Sequence, residues 1–199
     1  VDSGATYMDG TTDITRTYPL GPLTEDEKRF YTWTLQSHID LARAVWLDYC
    51  ECKMIDTIAR EPLWRHLINY RCGTGHSVSF VGNVHEGPHA LNSRNTTRMR
   101  PGMVVTDEPG VYETDLVGIR IENELVCVHK ADNQYGTFLG FEPLMFVPIA
   151  TSPILPGVLD KDEIAWLNDY HRQVFAKLAP HLNDEERSWL AEKCAAIGC

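Results

Sequence analysis

The chain has 199 residues, 43% of them apolar and 23% charged, a composition ordinary for one globular domain with a substantial core. Its formal net charge of -10 excludes a broad nucleic-acid-binding surface, because phosphate binding needs clustered lysine and arginine. No apolar run reaches the ~18 residues that a membrane span needs, and we find no signal peptide at the start. We therefore expect a cytoplasmic protein that binds neither nucleic acid nor membrane.

The cysteines and the first residues add two further expectations. The six cysteines contain no CxxC pair, and Cys50 and Cys52 stand too close together for a common zinc site. This spacing favours reduced thiols over a disulfide framework. The sequence opens on Val1-Asp2-Ser3 instead of methionine, so we interpret it as part of a longer polypeptide whose N-terminal portion is missing.

The first quarter of the chain predicts a hairpin followed by a helix. Residues 1–18 contain two short strand-like runs around Asp9-Gly10, which is a strong turn signal. Thr24 and Glu27 have the spacing of a capping box, which opens a helix that reaches about Trp46.

The rest of the chain mixes helices and strands without regular βα alternation. A second helix covers about 53–68, with Pro62 beginning or kinking a turn, and a long loop follows at 82–95. Strands are predicted at 103–106, 118–128 and 144–149, and helices at 160–179 and 184–195. This order indicates the α+β class.

Five polar segments each place a metal-ligating side chain at a strand end or beside a glycine turn. They carry Asp2, Asp13, His76, Glu108 and Glu122. Taken singly, each residue has an ordinary structural explanation, such as a surface strand acid, a core histidine or a turn acid. Together, four carboxylates and one imidazole suit Mn²⁺ or a similar hard divalent ion, and two such ions would balance the four negative charges. Without metal the cluster would repel itself and raise its own pKa values.

Local geometry favours part of this grouping. On a continuous strand over 118–128, Arg120 and Glu122 share a face, so Arg120 would orient the carboxylate. A two-residue turn at Asp9-Gly10 would pair Asp13 with Thr6 and not with Asp2. We therefore predict a wider or bulged turn, centred nearer residues 7 and 8.

Several runs of sequence, taken in order, resemble one family. They are VDSGATYMDGTTDITRTYPLG, GTGHSVSFVGNVHEGP, VVTDEPGVYE, GIRIENELVCV, FEPLMFVPI and DKDEIAWLNDYHRQV. This set is similar to the creatinase/methionine-aminopeptidase superfamily of metallopeptidases, and most of all to its eukaryotic-type Xaa-Pro aminopeptidase (aminopeptidase P) branch. The resemblance implies the pita-bread fold, incomplete at its N-terminal side. It also implies a catalytic core at 1–150, a C-terminal helical extension at 151–199, and a homodimer.

The resemblance also implies a role for each candidate residue. Asp13 and Glu122 would bridge two divalent ions, Asp2 would hold one of them, and His76 with Glu108 would hold the other. The expected ion is Mn²⁺, with Zn²⁺ or Co²⁺ as alternatives. A hydroxide held between the ions would attack the carbonyl that precedes proline in a peptide with proline at its second position.

Two of these ligands would also touch the peptide, together with one loop histidine. Glu108 would take and return the proton. His85 would contact substrate and stabilise the tetrahedral intermediate. Substrate would thus contact His85, His76 and Glu108.

Two departures from the family pattern bear on activity. Cys72 stands where the family often has a histidine that lines the substrate site, and a thiol cannot take the cationic role of an imidazole. A second family histidine would lie upstream of Asp2, in the missing N-terminal portion. We expect the chain to stay folded only beside that portion.

Three other assignments stay open at this point. Within the same superfamily, a prolidase or a methionine aminopeptidase would use a similar metal centre. A non-catalytic pita-bread module would bind partners after losing its ligands, but here all five ligand positions are filled.

Overall fold

The computed structural model describes residues 1–198 of the chain, so Cys199 lies outside the described residues. The five other cysteines are free thiols, as the sequence predicts: Cys50, Cys52, Cys72, Cys127 and Cys194. Among the described helices, none is both long enough and apolar enough to cross a membrane. Helices and antiparallel strands alternate irregularly, which confirms the α+β class.

A regular hairpin opens the fold, formed by β1 (Asp2–Tyr7) and β2 (Gly10–Thr15). The loop is the two residues 8 and 9, and pairing runs without a bulge from Tyr7–Gly10 to Asp2–Thr15. The predicted bulged turn is therefore wrong. Asp13 lies opposite Gly4, so Asp2 and Asp13 are diagonal neighbours on one face of the hairpin and need no bulge to point the same way.

Two helices and a short strand come next: α1 (Glu25–Ala42), β3 (Val45–Leu47) and α2 (Cys52–Trp64). The capping box of Thr24 and Glu27 is present, as predicted. α1 ends before the predicted limit because Trp46 belongs to β3, where it pairs with Leu139. Pro62 lies inside α2, and the helix ends soon afterwards, before Leu67 takes a positive φ of 60°.

The central layer is a four-stranded antiparallel sheet that contains β3 and three further strands, β6 (Val104–Asp107), β9 (Asn123–Asn133) and β10 (Gly136–Pro143). The strand order is β3–β10–β9–β6. Two small hairpins flank it, formed by β4 (Gly75–His76) with β5 (Ala90–Leu91) and by β7 (Gly110–Glu113) with β8 (Val117–Arg120).

Two predicted strands differ from the structure. The predicted strand over 118–128 is two strands, because β8 pairs with β7 whereas β9 pairs with β6 and β10, and residues 121–122 make the break. The segment 144–149 is not a strand, because side chains take up its backbone groups. Arg16 donates to the carbonyl of Val147, and the Ile149 N–H donates to His171.

The chain closes with α3 (Lys161–Leu178), a short 3₁₀ turn and α4 (Asp184–Lys193). The inner face of α3 packs into the same apolar core as α1 and the break after β8. That core contains Tyr31, Leu35, Ile39, Ile119, Ile121, Ile149, Leu167, Tyr170 and Val174. The C-terminal helices are therefore fastened to the body that carries the candidate site.

Candidate metal centre

Three side chains from three parts of the fold meet at one point. Asp13 comes from β2, His76 from β4, and Glu122 from the break between β8 and β9. One potential ligand atom of each lies within 4.8 Å of the others. The side chains are 14%, 15% and 2% exposed, so the three groups meet in a largely desolvated place where their charges interact strongly.

The ring of His76 is oriented so that one nitrogen faces carboxylates. Its Nδ1 lies 3.1 Å from the carbonyl oxygen of Ser77, which can only accept, so Nδ1 carries a proton. Nε2 lies 3.2 Å from Oε1 of Glu108 and 3.5 Å from Oδ2 of Asp13. Three acceptors facing one another require a proton or a cation between them.

The pKa of His76 reflects that arrangement. Burial lowers the pKa, but hydrogen bonds to Asp13 and Glu108 outweigh burial and raise the pKa to about 10. A divalent ion would supply positive charge in place of this proton, and His76 would hold the ion through the Nε2 lone pair.

Glu108 lies at the junction of β6 and β7, and its neighbours fix it on both sides. Its backbone N–H donates to the carbonyl of Thr74 at 2.7 Å, and the Thr106 hydroxyl lies 3.1 Å from its Oε1. Pro109 follows and restricts the Glu108 backbone to extended conformations. The side chain is 21% exposed, so part of it is accessible to solvent.

Glu122 is the most buried of the candidate ligands. Its Oε2 accepts a 2.6 Å hydrogen bond from the Thr15 hydroxyl, and its backbone N–H donates to the Thr15 carbonyl at 3.0 Å. Burial, with the charges of Glu108 and Asp13, raises the pKa of Glu122 to about 8. Burial is the largest cause of this rise in pKa, and the repulsion among carboxylates that the sequence predicts adds to it.

Asp2 reaches the cluster through Arg120. The Asp2 carboxylate, 56% exposed, forms an ion pair with Nη2 of Arg120. The Nε of the same guanidinium lies 3.9 Å from both Glu108 Oε2 and Glu122 Oε2, and it donates to the Thr15 hydroxyl at 3.0 Å. Arg120 is thus the common neighbour of three carboxylates, although the continuous strand from which we predicted its orientation is absent.

Two histidines, His76 and His85, lie at the site, whereas His38 and His171 lie elsewhere. The His85 ring lies 3.8 Å from the His76 ring between centroids, and it lines a cleft of about 470 Å³ that also contains Asp2 and Asp13. His38 is buried with Nδ1 3.1 Å from Asp107, and His171 accepts from the Ile149 N–H at 3.1 Å.

Sequence reasoning missed three residues around the cluster. Thr15 shares a face with Asp13 by the period of two and had that signal. Arg16 is 3% exposed and donates to the Glu122 carbonyl, a role that no spacing indicates. Glu124 is 4% exposed, and burial with the charge of Asp13 raises its pKa to about 7.

The donor set fits hard divalent metal ions. Carboxylate oxygens and one imidazole nitrogen with its second nitrogen already protonated are ligands that such ions take. The carboxylates Asp13 and Glu108 raise the pKa of His76, and burial together with neighbouring carboxylates raises the pKa of Glu122, so a bound cation would stabilise the ionised carboxylates.

Comparison with known protein families finds matches over most of the chain. Residues 1–129 match the model of metallopeptidase family M24, and residues 137–197 match the C-terminal region of that peptidase family. The chain is 42% identical over 203 residues to aminopeptidase P1 of Lotus japonicus and 44% identical over 197 residues to aminopeptidase P2 of Arabidopsis thaliana. These alignments cover 99% and 96% of this chain but only 31% and 28% of the relatives. The chain therefore spans about a third of the length of these curated relatives.

Solved structures agree with the sequence matches. An X-prolyl aminopeptidase from Caenorhabditis elegans, described as a cytosolic enzyme with a di-nuclear active site, superposes with a TM-score of 0.93 at 40% identity, over 98% of this chain and 33% of that one. A prolidase from Pyrococcus furiosus superposes with a TM-score of 0.62 at 29% identity, over 72% of this chain and 39% of that one. The expected pita-bread fold is confirmed. The chain matches this family in sequence and in fold, and its ligand-type residues converge at one place. The chain therefore belongs to metallopeptidase family M24.

Proposed function

We propose that the chain is the metal-binding part of an aminopeptidase that removes an N-terminal residue preceding proline. The convergence of Asp13, His76 and Glu122, with Glu108 at His76 and Asp2 at Arg120, carries this proposal. Both aminopeptidase P relatives and the C. elegans structure bear names of that activity. The chain aligns with the C. elegans structure over more of its length, and with a higher TM-score, than with the prolidase.

We propose that two divalent ions are held by five residues: Asp2, Asp13, His76, Glu108 and Glu122. We propose that both ions are Mn²⁺. When bound, such ions lower the pKa of a water molecule and polarise a carbonyl. In the structure the Asp2 carboxylate forms an ion pair with Arg120. When Asp2 binds a metal ion, we expect this ion pair to weaken and the Arg120 guanidinium to contact Glu108 and Glu122 more closely. Its guanidinium would then orient these carboxylates.

Two residues of the chain act on the peptide, one by proton transfer and one by stabilising negative charge. Glu108, whose side chain is partly exposed, takes a proton from the attacking water and returns it to the departing proline nitrogen. His85, exposed beside His76, donates a hydrogen bond to the oxygen that becomes negative in the tetrahedral intermediate. Cys72 is exposed and cannot supply the positive charge of a histidine, so we expect this centre to act more slowly than one with histidine there.

The proposal extends to the surroundings of the chain. An N-terminal portion of the same polypeptide would cover the cleft on the side of Asp2, and a second copy would complete a homodimer in the cytoplasm. Residues 1–150 would form the catalytic core and 151–199 the helical extension.

A substrate comparison tests the activity. The full-length polypeptide, purified with Mn²⁺, is offered an Arg-Pro-Pro peptide, an Xaa-Pro dipeptide and a Met-Ala peptide, and release of the first residue is measured. We expect the Arg-Pro-Pro peptide to be cleaved fastest. Faster cleavage of the dipeptide would favour a prolidase, and faster cleavage of the Met-Ala peptide would favour a methionine aminopeptidase. If the protein cleaves none of the peptides and binds no metal, it is a non-catalytic binding module.

A further inference from the structure

We propose that Arg16 and Tyr170 are positioning residues that hold Glu122 in its ligating position, which makes helix α3 part of the support of the metal centre. The inference rests on the proposed function, because it assigns a role toward the metal ions of that function. It adds a link that joins the two family regions, since Arg16 lies in residues 1–129 and Tyr170 in residues 137–197.

The first step of the link is between Arg16, the backbone carbonyl of Glu122 and the side chain of Asn123. Nη1 of Arg16 donates to the carbonyl of Glu122 at 2.5 Å and to the carbonyl of Thr15 at 2.9 Å, and Nη2 donates to Oδ1 of Asn123 at 2.8 Å. The guanidinium therefore fixes the backbone carbonyl of Glu122 and the side chain of Asn123, while the Thr15 hydroxyl fixes the Glu122 carboxylate. A ligand held at both its main chain and its side chain has little freedom to move away from an ion.

The second step is between Arg16 and helix α3. Nη2 of Arg16 donates to the Tyr170 hydroxyl oxygen at 2.9 Å, and it also donates to the Val147 carbonyl at 2.8 Å. Arg16 is 3% exposed, and these acceptors are uncharged oxygens. A buried cation depends on such a full set of partners, because each one replaces water that it has lost.

Tyr170 is itself held firmly. It is 1% exposed, and its ring stacks on Trp166 with 5.4 Å between centroids and 3° between planes. Its hydroxyl accepts from the Val147 N–H at 3.2 Å and lies 3.0 Å from the Val147 carbonyl. Burial and stacking hold the Tyr170 ring in place. Its hydroxyl therefore orients the Arg16 guanidinium toward the Glu122 carbonyl.

The test removes the hydroxyl and keeps the ring. Tyr170→Phe leaves the stack on Trp166 in place, so we expect the variant to fold. The matched control is Tyr31→Phe, which removes another buried hydroxyl from the same apolar core, where it donates to the Ala150 carbonyl at 2.7 Å. Mn²⁺ affinity is measured by titration calorimetry, the metal environment by the absorption spectrum of the Co²⁺-loaded protein, and stability by thermal melting.

We expect Tyr170→Phe to weaken Mn²⁺ binding about tenfold and to change the Co²⁺ spectrum. Tyr31→Phe should lower the melting temperature to a similar extent and leave both metal readouts unchanged. Arg16→Lys, which keeps the charge but loses the planar fork, should weaken Mn²⁺ at least as much as Tyr170→Phe.

Two results would overturn the inference while the proposed function stands. One is wild-type affinity and spectrum in Tyr170→Phe, and the other is an equal loss of affinity in both tyrosine variants. Wild-type protein that binds no divalent ion would instead overturn the proposed function, and this inference with it.

Discussion

The hydroxyl of Thr15 donates a 2.6 Å hydrogen bond to Oε2 of Glu122, across a sequence separation of 107 residues. The same two residues are joined by a backbone hydrogen bond of 3.0 Å from the Glu122 N–H to the Thr15 carbonyl. Strand β2, which carries Asp13, is thereby tied directly to the segment that carries Glu122. The distance between the two proposed bridging carboxylates is thus set by main-chain and side-chain contacts together.

Thr15→Val removes this hydroxyl and keeps the shape of the side chain. We expect Mn²⁺ affinity to fall about tenfold, because the carboxylate loses the partner that holds its second oxygen. Thr34→Val is the matched control, since Thr34 is fully buried in α1 and donates only to the Phe30 carbonyl. Equal Mn²⁺ affinities in both variants and in the wild type, measured by calorimetry, would contradict this role of Thr15.

Glu108→Gln removes the proposed proton carrier while leaving an oxygen that can ligate. At saturating Mn²⁺ we expect kcat on an Arg-Pro-Pro peptide to fall by about 10²–10⁴, because the amide cannot accept the proton from water. The exposed acid Glu113 provides the control variant Glu113→Gln, which should keep the wild-type rate. If Glu108→Gln keeps the wild-type kcat with both ions bound, Glu108 is not the proton carrier.

We predict that protonation of His171 lowers the free energy of unfolding in acid. Burial, with the nearby charge of Arg16, lowers the pKa of His171 to about 4 in the folded protein, below its ordinary value of 6.5. The unfolded chain therefore binds the proton first, and stability present above pH 6.5 is lost as the pH falls from 6.5 toward 4. The loss reaches about 3 kcal/mol at the lower end.

Urea melts with chelator present, at pH 7.5 and pH 4.5, measure this loss. In His171→Gln the amide oxygen can still accept from the Ile149 N–H, but the side chain does not titrate. We expect the difference in unfolding free energy between the two pH values to be smaller in this variant than in the wild type. The same difference in both proteins would show that His171 does not cause the acid loss.

The sequence predicts most of the local structure and the candidate ligands. The capping box of Thr24, the starts of α3 and α4, and the α+β class depend on short-range signals, and the structure agrees with them. The candidate ligands rest on the resemblance of several ordered motifs to one family, because each aspartate, glutamate or histidine taken singly has an ordinary structural explanation.

Other features depend on contacts between distant parts of the chain, which a single sequence does not display. The break at residues 121–122 arises because neighbouring strands choose different partners. Residues 144–149 have the composition of a strand, but Arg16, Tyr170 and His171 occupy their backbone groups. Arg16 itself resembles any polar residue at the end of a strand until its partners are seen.

The most direct test of the account is a crystal of the purified protein soaked in Mn²⁺, with an anomalous difference map collected at the manganese edge. We predict two peaks about 3.5–4 Å apart. Both should lie between Asp13 and Glu122, one beside Asp2 and the other beside His76 and Glu108. A map with no peak among these five residues, or with manganese bound only elsewhere, would contradict the proposed metal centre.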